Sequence, residues 1–235
     1  MPRCFEPAFE VLPAAQREIW PRLAPAPGLS LVLYGGTAIA LYLGHRPSID
    51  FDFFMSSPLP KEQIRQAFRI DATAATLQDT VQTLAVSIPM PSGPVKLSFF
   101  GEIGIGRVSE PLQTTDGTLL VASLEDLLAT KLKAILDRAE VKDYRDIAAL
   151  LKHGVSLEAG LAAFRTMFSG EPAQVLRAIG YFEDGDLASL DPGERRTLTA
   201  ARDSVRELPD RPLASKTLAV PAGDCDEIIP RSQPR

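Results

Sequence analysis

The stretch LVLYGGTAIALYLGHRPSIDFDFF, residues 31–54, constrains the fold more than any other part of the chain. Its first four residues are apolar, as in a buried strand, and a Gly-Gly pair then interrupts that strand. We predict a short helix over residues 37–43, which Gly44 can end as a C-terminal cap. A second strand is expected over residues 49–54. The order strand, tight turn, helix, strand indicates a segment of mixed α/β structure.

The second strand carries two carboxylates, Asp50 and Asp52, that alternate with Ile49, Phe51 and Phe53. Side chains two residues apart lie on the same face of a strand, so we expect both carboxylates on one face and the apolar residues on the other. Two like charges this close repel each other unless a cation lies between them. Oxygen ligands on a rigid strand suit Mg²⁺. The alternative is a pair of acids that is merely exposed on an edge strand.

The composition excludes few classes of function. The chain has 235 residues and a formal net charge of -5, so its bulk charge does not indicate nucleic-acid binding and any such surface must be a local patch. Residues 23–44 are uncharged and long enough to span a bilayer, but their prolines and tandem glycines argue against a membrane helix. We therefore expect no membrane association, and the N-terminus shows no apolar signal segment.

The two cysteines, Cys4 and Cys225, are near opposite ends of the sequence. They form neither a metal-binding cluster nor a disulfide framework by their spacing. We interpret them as reduced thiols, which favours a cytoplasmic location.

The rest of the chain changes character near Ser123. Before it, we predict helices over residues 9–23 and 61–68 and strands over residues 83–88, 95–100 and 118–122, with the proline-rich connector 89–94 unable to continue either neighbouring strand. After it, helical patterns occur over residues 124–136, 143–152, 157–168, 172–182 and 195–208. We predict an α/β domain over residues 1–122, a helical domain over 123–208, and an extended or disordered tail over 209–235.

Other polar residues have ordinary structural interpretations. Ser123 and Asp126 match a capping box at the start of a helix. Asp143 is well placed to cap the next helix, and a helical lysine such as Lys131 is usually solvated. A Gly-Gly turn between strand and helix is usually only a turn, although its backbone N–H groups can bind a phosphate.

In combination and order, these motifs resemble the nucleotidyltransferase-fold toxins of the AbiEii/AbiGii type. The resemblance covers roughly residues 9–152. It is carried by Gly35-Gly36-Thr37, by Arg46, Ser48, Asp50, Asp52 and Phe53, by Ser123, Leu124, Asp126 and Leu127 with Lys131, and by Lys142-Asp143-Tyr144 with Asp146 and Ile147.

The resemblance implies an α+β fold, in which a nucleotidyltransferase-like mixed sheet with helices is followed by a C-terminal helical bundle. It implies a Mg²⁺-dependent toxin that transfers a nucleoside monophosphate from a nucleoside triphosphate to a hydroxyl of an RNA, such as a tRNA end, or of a protein, and that has a cognate antitoxin. The implied roles are triphosphate binding by Gly35, Gly36 and Thr37, and metal binding by Asp50 and Asp52. Lys131 is expected to contact a phosphate, and Asp143 to complete the site. Arg46 and Ser48 are expected to support the strand of Asp50 and Asp52 or the phosphates. Replacing Lys131 is then expected to weaken triphosphate binding with little loss of thermal stability.

One position departs from the family pattern. Nucleotidyltransferases of this fold commonly carry a third metal-binding carboxylate on a later strand, and Ser98 occupies the matching position here. Either two acids and the substrate phosphates hold the metal, or Glu102 supplies the third acid, or catalysis is impaired. The alternatives to an enzyme are thus a non-enzymatic nucleotide-binding or interaction protein on the same fold, and an unrelated domain.

Overall fold

The computed structural model describes residues 3–229 and divides into two compact units. The first, the sheet unit, contains residues 3–106, Glu110–Ala122 and 215–229, and the second, the helical unit, contains Arg107–Ser109 and Ser123–Ala214. Within the described residues, no helix combines the length and the apolar character needed to cross a bilayer. The predicted domain limits at residues 122 and 208 stay a prediction.

The sheet unit is built around one mixed sheet, which has nine strands in the described residues. The strands are β1 (Arg3–Phe5), β2 (Val32–Tyr34), β3 (Asp50–Phe54), β4 (Ala75–Thr80), β5 (Thr83–Met90), β6 (Gly93–Phe100), β7 (Leu112–Thr114), β8 (Leu120–Val121) and β9 (Glu227–Ile229). Their spatial order is β4-β5-β6-β3-β2-β8-β7-β1-β9. The helices of this unit are α1 (Ala14–Ile19), α2 (Gly35–Leu43) and α3 (Lys61–Ala67).

The central segment folds as predicted. Strand β2 is buried throughout, α2 follows it directly, and β3 returns antiparallel beside β2. Gly44 has a φ of 63°, and its backbone N–H donates to the Ala40 carbonyl oxygen at 2.8 Å, so it caps α2 as expected. Because α2 is buried on nearly all sides, its apolar residues hold β3 against the core.

Aromatic packing fixes β3 from its apolar face. Phe51 and Phe53 are fully buried. The ring of Phe53 lies 5.4 Å from that of Phe99 on β6, and Phe68 stands edge-on to Phe99 at 5.0 Å. Aromatic pairs of this kind add about 0.5–1.5 kcal/mol each beyond their area burial. Ile49, which we expected on this face, precedes the strand and is 59% exposed.

The prediction that the prolines interrupt β5 and β6 is wrong. The hairpin continues through Pro89 and Pro94, which lie opposite each other, and turns only after Met90. A proline weakens a sheet because it lacks a backbone N–H. Here neither proline has a neighbour on its outer side, since β4 pairs with β5 only as far as Ser87 and β3 pairs with β6 only from Lys96.

Two further sheet-unit predictions need correction. The helix expected over residues 9–23 is three short pieces, because Pro13 and Pro21 interrupt it: α1 lies between the 3₁₀ turns Phe9–Val11 and Trp20–Leu23. Strand β4 was not predicted, because all six of its residues are exposed and its sequence therefore lacks an apolar alternation.

The helical unit contains α4 (Leu124–Asp137), α5 (Val141–Lys152), α6 (Leu157–Phe168), α7 (Pro172–Ala178) and α8 (Pro192–Ser204). All five helices were predicted, and α6 has the predicted bounds. The Ser123 hydroxyl caps α4 by accepting the Asp126 N–H at 3.0 Å, but the Asp126 carboxylate instead accepts the Val108 N–H at 3.0 Å. Asp143 is not a cap, because α5 begins two residues earlier and its N-cap residue is Glu140.

The two ends of the described chain meet at one edge of the sheet. Strand β9 pairs parallel with β1, and a disulfide joins Cys4 to Cys225 across a sequence separation of 221 residues. The interpretation of both cysteines as free thiols is therefore wrong. Their distance in sequence gave no sign of the pairing, because only the sheet topology brings them together.

Candidate functional site

Strand register gathers the proposed metal-binding residues on one face of the sheet. In β3, Asp50 and Asp52 alternate with the buried phenylalanines and are both partly exposed. Strand β6 runs parallel to β3, with Lys96 beside Asp50 and Ser98 beside Asp52. Residues in register on neighbouring strands project to the same side. The sheet thus presents two carboxylates, one ammonium and one hydroxyl together, and we call this group the acidic face.

The start of α2 lies directly against the acidic face. Gly35 has a φ of 77°, and a Cβ atom built on it would lie 2.8 Å from Oδ2 of Asp52. Only glycine fits this backbone conformation and this close approach without strain. The first backbone N–H groups of a helix lack partners within the helix, and together with the helix dipole they favour a negative charge. Gly35 and Gly36 therefore place an anion-binding helix start beside the Asp52 carboxylate.

Thr37 and Ser48 hold α2 to the beginning of β3. Both side chains are buried, and the Thr37 hydroxyl lies 2.8 Å from the Ser48 hydroxyl and also contacts the carbonyl oxygen of Asp50. Through its side chain, Thr37 is thus a positioning residue in this structure. Its backbone N–H is the group left to contact a phosphate. Arg46 is partly exposed, and its guanidinium donates to the Pro47 carbonyl oxygen at 3.0 Å.

The third position of the acidic face holds Ser98, as the sequence predicted. Ser98 is 2% exposed and is the register partner of Asp52. Among residues 3–229, no group of three or more histidine, cysteine, aspartate or glutamate side chains could hold a metal ion. Glu102, which is exposed after β6 with a φ of 53°, therefore does not complete a three-acid set with Asp50 and Asp52.

The donor set still fits Mg²⁺. This ion is commonly held by one or two carboxylates together with substrate phosphates and water, rather than by a complete protein cage. Asp50 and Asp52 supply two carboxylates on one rigid strand, with the helix start positioned for phosphate. The residues present thus suit a metal that arrives with its nucleotide.

In the helical unit, Lys131 and Asp143 form a buried ion cluster. The Lys131 ammonium lies 2.6 Å from the Asp143 carboxylate and 2.7 Å from the Asp146 carboxylate, and both carboxylates are fully buried. The guanidinium Nε of Arg138, whose side chain is 47% exposed, lies 2.8 Å from Asp143. The ordinary structural interpretation of Lys131 as a solvated lysine does not hold, because the residue is buried.

The cluster is balanced by hydrogen bonds and charge. Burial raises the pKa of Asp143, but hydrogen bonds from Arg138 and the positive charge of Lys131 outweigh it and hold that pKa below its usual value. Asp143 is therefore ionised at neutral pH, and its negative charge balances the positive charge of Lys131. The prediction that Lys131 contacts a phosphate remains a prediction, and its ammonium here already binds two aspartates. The sequence singled out Asp146 together with Asp143, with which it shares a face of α5, but gave no role to Asp146 or to Arg138.

Asp126 is a second buried acid of the helical unit. It is 1% exposed, and burial raises its pKa to about 7, although hydrogen bonds from the backbone of Val108 and from Ser123 act in the opposite direction. The capping motif located this residue in the sequence. Its burial depends on residues 107–109, which are distant in sequence, and so the sequence did not indicate the shifted pKa.

Comparisons with solved structures support the fold. An H. pylori protein assigned as a nucleotidyltransferase superposes with a TM-score of 0.50 at 20% identity, covering 80% of this chain and 90% of that one. The nucleotidyltransferase toxin MenT4 from Mycobacterium tuberculosis H37Rv superposes with a TM-score of 0.52 at 14% identity, covering 79% and 82%. The α+β architecture, a mixed sheet with helices, is thus the nucleotidyltransferase fold.

Sequence comparisons give the family. The uncharacterized protein aq_aa25 of Aquifex aeolicus (strain VF5) is 29% identical over 156 residues, which are 65% of this chain and 73% of that protein. The profile of the family described as "Nucleotidyl transferase AbiEii toxin, Type IV TA system" matches residues 22–219. This match spans most of the chain and includes the acidic face, α2 and the Lys131 cluster. The chain therefore belongs to the AbiEii nucleotidyl transferase toxin family.

Proposed function

We propose that this chain is the toxin of a toxin–antitoxin pair and a Mg²⁺-dependent nucleotidyltransferase, which transfers a nucleoside monophosphate from a triphosphate to a hydroxyl of an RNA, such as a tRNA end, or of a protein. The observation that carries the proposal is the acidic face, where Asp50 and Asp52 lie together and Gly35 packs against Asp52. Family membership supports a transferase and a cognate antitoxin.

In the proposed reaction, the acceptor hydroxyl oxygen attacks the α-phosphorus of the triphosphate and forms a new P–O bond. The bond from the α-phosphorus to the oxygen that bridges to the β-phosphorus breaks, pyrophosphate leaves, and the hydroxyl proton passes to water. The protein performs little covalent chemistry in such a transfer and contributes mainly position and electrostatic stabilisation. When bound, Mg²⁺ would neutralise phosphate charge and orient the reacting oxygens. Asp50 and Asp52 would hold it.

The remaining residues bind and orient. The N–H groups of Gly35 and Gly36 would donate to phosphate oxygens at the start of α2. Thr37 and Ser48 keep that helix start fixed to β3 through their hydroxyls. Arg46 would support the same region. By the family resemblance, Lys131 would contact a phosphate and Asp143 would also take part in catalysis.

The proposal includes a cytoplasmic location, where an RNA or protein acceptor is available. In a reducing cytoplasm, thiols are kept reduced. The disulfide between Cys4 and Cys225 therefore does not support this location, which rests on the acceptor alone.

The test is transfer of label from each α-labelled nucleoside triphosphate to total RNA and to total protein, with Mg²⁺. We expect label in one acceptor class, and loss of at least about 100-fold in an Asp52→Asn variant, because the change removes a metal ligand while leaving the apolar face of β3 intact. The matched control is Asp79→Asn, since Asp79 is an exposed acid on the edge strand β4. Equal transfer by Asp52→Asn and wild type would refute the assignment of the site.

A second candidate function is nucleotide binding without transfer. Ser98 favours it, because a serine hydroxyl cannot supply the charge of a third carboxylate. The prediction common to both candidates is that Mg²⁺ alone binds weakly, in the millimolar range or weaker by order of magnitude, and that metal and triphosphate tighten each other's binding by the same factor. Ser98→Asp should raise the affinity for the bare metal. Triphosphate binding without any transfer to RNA or protein would favour this second candidate.

A further inference from the structure

Lys96 is the one member of the acidic face to which neither the motifs nor the family resemblance gave a role. We propose that its ammonium contacts a phosphate of the bound nucleoside triphosphate and supplies positive charge to the site. This inference rests on the proposed function and adds a substrate-binding residue to it.

The first argument is position. Lys96 is in register with Asp50, just as Ser98 is in register with Asp52, so the lysine and both carboxylates share one side of the sheet. On its other side, Lys96 is in register with Ser87 of β5. A lysine has a flexible four-carbon stem that carries its charge well beyond its own strand. From this register, the ammonium can reach a phosphate held above Asp50.

The second argument is availability. Lys96 is exposed, so its ammonium is accessible to a bound ligand. Lys131, the lysine that the resemblance assigns to phosphate binding, has its ammonium within 2.7 Å of two buried carboxylates. An exposed ammonium costs less to transfer to a phosphate than one that would have to leave its contacts with two buried carboxylates.

The third argument is charge. The acidic face carries two carboxylates and one ammonium, and its fourth position is the neutral Ser98. A third carboxylate at the Ser98 position would add one more negative charge beside the triphosphate. Here the third acid is absent and a lysine is present, so the protein itself neutralises part of the triphosphate charge. Charge-assisted contacts between lysine and phosphate are strong enough to matter for binding.

The experiment measures the equilibrium dissociation constant of a non-hydrolysable triphosphate with Mg²⁺, by calorimetry, for wild type, Lys96→Ala, Lys96→Gln and Lys96→Arg. We expect about tenfold weaker binding for the alanine and glutamine variants, and recovery to within about threefold of wild type for arginine, because arginine keeps the charge. The salt dependence of binding should also become weaker when the lysine is removed.

The matched control is Lys152→Ala, which removes another exposed lysine, located at the end of α5. It should bind triphosphate as wild type does. Melting temperatures establish that each variant is folded, and the glutamine variant, which keeps most of the stem, serves if the alanine variant is not.

The outcomes separate this inference from the proposed function. Wild-type binding by both Lys96→Ala and Lys96→Gln would overturn the role of Lys96 and leave the proposed function intact. Absence of triphosphate binding by the wild-type protein would overturn both.

Discussion

Replacing Gly35 with alanine tests the arrangement of the acidic face at its tightest point. The added Cβ would lie 2.8 Å from Oδ2 of Asp52, and the φ of 77° is strained for any residue with a side chain. The left-handed conformation costs alanine about 1 kcal/mol. The Asp52 carboxylate must also shift, because a Cβ atom does not approach another heavy atom this closely.

Gly44→Ala is the matched control, because it carries the same type of backbone strain without the contact. Gly44 ends α2 with a φ of 63°, and its added Cβ would meet nothing nearer than the Ala8 side chain at 3.7 Å. Both variants should therefore lose about 1 kcal/mol of stability, which for a chain of this size lowers the melting temperature by about 2–4 °C.

Only Gly35→Ala should impair transfer. Misplacing a catalytic group by about 1 Å can reduce a rate about 100-fold, so we expect a loss of roughly 10- to 100-fold for the smaller shift of Asp52. Gly44→Ala should transfer at the wild-type rate. The assay is label transfer from an α-labelled triphosphate beside a thermal melt of each protein. If the two variants transfer equally well, Asp52 is not held against α2 in the working enzyme or is not part of its site.

Three further predictions concern stability. Lys131→Ala should cost about 3–5 kcal/mol in urea unfolding, because it removes the ammonium that contacts the buried carboxylates of Asp143 and Asp146. A loss below about 1 kcal/mol would contradict the buried cluster. This expectation replaces the earlier one of little stability loss. The pKa of Asp126 is about 7 in the folded chain and near 3.8 when unfolded, so the folded form binds an extra proton between these pH values, and the stability that this group contributes is full below about pH 4 and is lost as the pH rises to 7. Asp126→Asn should therefore remove up to about 4 kcal/mol of the pH dependence of stability between pH 4 and 8. Identical pH profiles of stability for the variant and wild type would refute the pKa shift. Reducing the disulfide between Cys4 and Cys225 should lower the free energy of unfolding by about 2–4 kcal/mol, which thermal melts with and without reductant can measure. A melting temperature that does not change with reductant would show that the bond makes no contribution.

The local sequence determined the elements whose sequence patterns involve only residues that are close together in the chain. The alternation of acids and phenylalanines placed Asp50 and Asp52 on one face of a strand, and Gly44 marked the end of α2, because strand periodicity and left-handed caps are local properties of the backbone. The helical pattern gave α6 its bounds for the same reason. The position of Ser98 beside Asp52 also followed from the sequence, once the family pattern aligned the two strands.

The tertiary structure decided the features that depend on partners distant in sequence. Strand β4 and the three-residue strands β1 and β9 exist because a neighbouring strand supplies their hydrogen bonds, and the disulfide exists because that pairing brings Cys4 and Cys225 together. The sequence of α4 alone favours a surface position for Lys131, but two aspartates on α5 compensate its charge, and so it can be buried. Lys96 lies two residues before Ser98 and therefore on the same side of its strand, but only the parallel pairing of β6 with β3 showed that it lies beside Asp50.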